Sequence, residues 1–100
     1  MSYQINLFNG QPLVVVDDGT INQDKTTLKL VGKNYAGYGE TQNENFVFLT
    51  ENFANSNPPA NQLNGQLWYD NFNRKLKFWD ESKQIWRSTG GAEKIGRAHV

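Results

Sequence analysis

Apolar and polar residues alternate from the start of the chain: Tyr3, Ile5 and Leu7 against Gln4, Asn6 and Phe8. A period of two predicts a strand. Asn9-Gly10 follows, a dipeptide that readily accepts the positive φ angles of a tight hairpin turn. The run Leu13–Val16 returns as a second strand, with Pro12 lengthening the turn because it has no N–H for the ladder. Residues 17–24 read as turn and loop, and residues 26–32 as a third strand ending at Gly32.

The period then changes. After an aromatic, glycine-punctuated loop at 33–40, Thr41 and Glu44 stand in the spacing of a capping box, each able to bond the other's backbone N–H. This predicts an amphipathic α-helix over about 42–54. Its apolar stripe is Phe46, Leu49, Thr50 and Phe53, widened by Val47 and Ala54, with Phe48 on the opposite face. The asparagine- and proline-rich stretch 55–64 stops the helix and leads out as an extended linker.

Alternation resumes in the Trp-rich segment 65–90. Its strands GQLWYD, KLKFWD and QIWRS, separated by polar turns, predict a three-stranded antiparallel β-meander. Cross-strand pairing places Leu67, Tyr69, Leu76 and Phe78 on one face. Trp68 and Trp79 then share the other, with Gln66, Lys75 and Lys77. A small two-layer domain covers one face of such a sheet, so the Trp68/Trp79 face is expected to be the exposed one and to meet a partner. The fold class expected is α+β: an N-terminal β-hairpin and third strand, one helix, and a C-terminal meander.

Composition narrows the classes. The 100 residues give one domain by length, and ten basic against ten acidic residues give a formal net charge of zero. A nucleic-acid-binding chain would carry a basic surplus, so no nucleic-acid partner is expected. The absence of cysteine removes disulfides and thiolate metal sites. No apolar run approaches the roughly 20 residues of a membrane span, and no signal peptide opens the chain, so no membrane insertion is expected.

Candidate chemistry is sparse. Gly37-x-Gly39 precedes the helix, but Gln42 stands where a dinucleotide fingerprint needs its third glycine. Asp17-Asp18 reads as a turn, and Asp70 and Asp80 each end a strand as turn residues; the alternative is a glycosidase pair of acid and base. The expectation is no enzyme, no cofactor and no metal. For the tryptophans, sugar stacking and a single-stranded nucleic-acid platform compete with the favoured reading, core plus subunit interface. Trp68, Trp79, Trp86 and Phe48 are the candidate interface or ligand residues.

The string PPANQLNGQLWYDNFNRKLKFWD, with a closing Trp86, resembles a motif of tail-fibre and related virion structural proteins of tailed phages, especially contractile-tailed phages of marine bacteria. Gly65, Gln66, Leu67, Trp68, Tyr69, Asp70, Leu76, Trp79, Asp80 and Trp86 match it, Phe78 lies within it, and upstream segments extend the likeness over nearly all of residues 3–90. The last turn departs from the pattern, since Asp80–Trp86 is longer than usual and lacks glycine. The resemblance implies a noncatalytic structural module of a longer fibre or tail protein. It also implies a homo-oligomer, a trimer favoured, with other virion tail proteins as partners and location in the virion tail after assembly in the host cytoplasm. The alternative is a carbohydrate-binding module that reads a host surface glycan through exposed Trp side chains.

The final residues, Ile95–Val100, back-translate to the start of a common short-read library adapter. The expectation is a module of residues 1–94 from a metagenomic fragment of a longer protein, with 95–100 as an artefact that includes the sole histidine, His99.

Overall fold

A computed structural model of the chain describes residues 1–89, and the expectation for residues 95–100 lies outside them. In order run β1 (Ser2–Asn6), β2 (Pro12–Asp17), β3 (Ile21–Asn22), β4 (Leu30–Val31), α1 (Tyr38–Thr50), β5 (Leu67–Asp70), β6 (Lys75–Asp80) and β7 (Ile85–Ser88). This is the small α+β fold the pattern predicts, with its N-terminal hairpin and C-terminal antiparallel sheet. The chain divides into two compact units, Met1–Phe48 and Leu49 onward.

In the first unit β1 and β2 pair antiparallel, Tyr3 opposite Val16 and Ile5 opposite Val14. The register skips at Asn6, whose partner is Pro12. A bulge there suits a residue without an N–H. Gly10, at φ 89°, closes the turn by donating to the Leu7 carbonyl. Val16 is the buried apolar side chain of this unit among the described residues. β3 pairs with β4, and Gly32 extends the pair by donating to Thr20 O. A Cβ on Gly32 would run into the Asp17 carbonyl oxygen, so that position requires glycine.

The third strand is shorter than the predicted 26–32, and local chemistry explains it. The Thr26 hydroxyl captures the Leu28 N–H at 2.8 Å, bending the chain out of the ladder. One residue on, the Lys29 backbone is taken by Asn45 of α1, which accepts from its N–H at 3.2 Å and donates to its carbonyl at 2.8 Å. Only Leu30 and Val31 remain for pairing.

The helix also differs from expectation. It begins a turn early, at Tyr38, and the Thr41 N–H already donates to Gly37 O. Thr41 is therefore the fourth helical residue, and Thr41 and Glu44 do not form the cap. Gly37, at φ 82°, supplies the change of direction that a capping box would otherwise mark. The helix ends at Thr50 because Asn52 and Phe53 both turn left-handed, at φ 53° and 55°. Phe53 lies beyond the helix, and the residue α1 buries is the polar Asn45.

In the second unit β5, β6 and β7 form one antiparallel sheet in that order. Leu67 opposes Phe78 and Tyr69 opposes Leu76, the pairs read from alternation. Residues 55–64 contain no regular element beyond a parallel bridge from Asn55 to Asp70, yet the stretch is tied down at both ends. Asn55 N–H donates to Tyr69 O at 3.2 Å and Glu81 N–H to Asn64 Oδ1 at 3.1 Å. Gly65, at φ 83°, then turns the chain into β5 and donates to Trp79 O.

Candidate functional site

The register of the second unit sorts its side chains. Trp68, Asp70, Lys75, Lys77, Trp79 and Trp86 share one face, while Leu67, Tyr69, Leu76, Phe78, Asp80 and Ile85 share the other. Trp86 stands opposite Trp79 and sits between the other two indoles, 5.3 Å from each ring centroid at interplanar angles of 64° and 61°. Both contacts are edge-to-face, the arrangement the ring quadrupole favours.

The three tryptophans form a closed cluster. Trp68 and Trp79 are only 4% and 8% exposed, and Trp86 is half-buried. Each buried indole N–H is satisfied: Trp68 Nε1 donates to Asn55 O at 3.2 Å, and Trp79 Nε1 to Glu81 Oε1 at 2.6 Å. The first of these bonds ties the start of segment 55–64 to the sheet, and the Glu81 N–H, donating to Asn64 Oδ1, ties its end. The expectation that Trp68 and Trp79 would be the exposed pair is thus overturned. Asn55, read as part of a linker, accepts from one indole and Glu81 of the β6–β7 turn from the other, while Trp86 packs edgewise on both. The exposed stacking platform that the sugar and single-strand readings required is not there.

Asp70 organises one end of this face. It is buried; its Oδ1 accepts from Phe72 N and Asn73 N, and its Oδ2 from Asn73 Nδ2 at 2.8 Å and Lys77 Nζ at 2.9 Å. The Asn73 side chain and backbone, followed by Lys77, hold the carboxyl well below the usual carboxylate range against the opposing effect of burial. Lys77 Nζ also lies 5.0 Å from the Trp68 ring centroid, a cation–π distance.

Ten residues later the device recurs. Asp80 Oδ1 accepts from Ser82 N and Lys83 N, and Oδ2 pairs with Arg87 at 3.2 Å. The Ser82 hydroxyl, ahead of the Lys83 N–H and Arg87, keeps this carboxyl below its ordinary value too. Each four-residue turn ends in a left-handed residue, Arg74 at φ 58° and Gln84 at φ 56°. Gln84 takes the left-handed conformation that closes the last turn without a glycine. Asp70 and Asp80 lie on opposite sheet faces, each clamped by its own turn, so they do not face one another across a cleft.

The other candidate residue, Phe48, stands in a different setting. Phe46, Val47, Phe48 and Leu49 are 61%, 53%, 38% and 47% exposed, four consecutive apolar side chains in water. The stripe expected to bury Phe46 and Leu49 is absent, because the helix is held by the Asn45 amide instead. On the sheet's second face Leu67 and Ile85 are also exposed, and Phe72 projects from the turn beside it. Sequence reasoning missed Asn45, Asn55 and Glu81; an asparagine amid Phe-Val-Phe-Leu was the one signal available. No family model, curated protein or solved structure matches the chain.

Proposed function

We propose that the chain is a noncatalytic structural module of a phage tail fibre or tail-associated virion protein, completing its apolar surface by association with further copies of itself. One observation carries this reading: the run Phe46–Leu49, exposed on α1. Four consecutive apolar residues in water are a fault in a monomer and an asset in an interface. The buried apolar set among the described residues supports it, being only Val16, Trp68 and Trp79. Zero net charge leaves no repulsion between copies. The tail-fibre likeness of residues 65–86 supplies the setting, with a trimer the favoured assembly.

The test is the double variant Phe46→Gln, Val47→Gln, studied by size-exclusion chromatography with light scattering. Both side chains are exposed, so the variant keeps its circular dichroism spectrum while its mass falls to that of one chain. An unchanged mass from an associated parent would move the interface elsewhere, and loss of helix signal in a monomeric parent would assign the run to internal packing.

A further inference from the structure

The first unit carries a concave feature that association through α1 leaves unused. An open cavity of about 390 Å³ lies between β1, the exit of β4 and the first turns of α1, lined chiefly by Tyr3, Lys33, Asn34, Tyr38 and Gln42. That volume falls within the roughly 300–1,000 Å³ of small-ligand sites.

The walls are fixed by backbone. Tyr3 stands opposite the buried Val16. The turn carrying Lys33 and Asn34 is pinned by Gly19 N–H on Lys33 O at 2.7 Å and by Tyr35 N–H on Gly32 O at 3.3 Å. Asn34 holds φ 62°, a left-handed conformation that asparagine adopts more readily than most residues. Tyr38 and Gln42 are four apart on α1 and so share a face. The Gln42 carbonyl accepts from Asn45 Nδ2 at 3.3 Å, which leaves its NH2 group as a donor. Among the described residues Lys33 Nζ meets the weak acceptor Met1 Sδ at 3.4 Å.

The chemistry of this lining is specific. Two phenol rings, both exposed, present flat apolar faces with polar tips. Two carboxamides and one ammonium supply directional donors, and the carboxamides and phenols also accept. An apolar ligand would leave those groups unpaired, at a cost. A phosphate would find one ammonium and no guanidinium, short of the bidentate pairing that marks strong anion sites. A pyranose fits both halves: its C–H face lies on a phenol ring and its hydroxyls meet amides and ammonium. We propose that this cavity binds a neutral mono- or disaccharide, gripped between Tyr3 and Tyr38 and read by Asn34, Gln42 and Lys33.

The test is an amide NMR titration of the whole chain with gluco-, galacto-, manno- and N-acetyl-configured disaccharides, with inorganic phosphate as the control. Saturable shifts at Lys33, Asn34 and Tyr38 with at least one disaccharide are expected, weakened at least tenfold by Tyr38→Ala at an unchanged melting temperature. The response should persist in the Phe46→Gln, Val47→Gln variant, which separates this site from association. No saturable shift with any disaccharide overturns the proposal. So does a saccharide response indifferent to Tyr38→Ala, or saturation by phosphate alone that Lys33→Gln abolishes.

Discussion

The Asn45 amide ties the helix to the Lys29 backbone of the first unit. Asn45 is 4% exposed and completes both the N–H and the carbonyl of Lys29, as a neighbouring strand would. Asn45→Ala is therefore expected to cost about 1–3 kcal/mol by leaving that backbone unpaired, measured by urea denaturation. Asp70 is the matching residue of the second unit. Its carboxyl titrates below the ordinary 3.8 when folded, so the unfolded chain binds the proton more tightly. The stability it contributes is complete above 3.8 and is lost as pH falls through the lower folded value. Thermal melts across that acid range should show a steep decline that Asp70→Asn flattens. Neither role was legible as a partnership: the sequence marks Asp70 as a turn residue, but the lysine seven positions on and the asparagine inside a helix find their partners only through tertiary register.

Elements were legible where local periodicity and burial agree. The meander's pairs, Leu67 with Phe78 and Tyr69 with Leu76, follow from alternation alone. Which face is buried does not, because both carry large apolar residues and the indole N–H groups of the buried face find their acceptors at Asn55 and Glu81. The helix position was misread by one turn because Gly37 and Asn52 set its ends through backbone conformation, while the capping-box spacing at Thr41 was incidental. Two predictions belong to this scale. Trp86→Ala removes the ring between Trp68 and Trp79 and should cost about 3 kcal/mol, read as an early, broadened melt with loss of near-ultraviolet dichroism. Arg74→Gly should stabilise by roughly 0.5–1 kcal/mol, since Arg74 is left-handed at φ 58° and exposed. A lowered melting temperature would show that the Arg74 side chain matters more than its backbone.

At the scale of the whole molecule, large apolar side chains stay exposed while few are fully buried among the described residues. Val16 is buried in one unit and Trp68 with Trp79 in the other, whereas Phe46, Val47, Phe48, Leu49, Leu67 and Ile85 are partly exposed. The sequence predicts an exposed aromatic face at Trp68 and Trp79, and the second unit buries both. The surplus moves to α1 and to the far side of the sheet. Sedimentation velocity on the unmodified chain, from about 1 μM to about 1 mM, tests this account most directly. The sedimentation coefficient should rise with concentration to a discrete oligomer, a trimer favoured; a single-chain species throughout would rule out self-association through the exposed apolar surface.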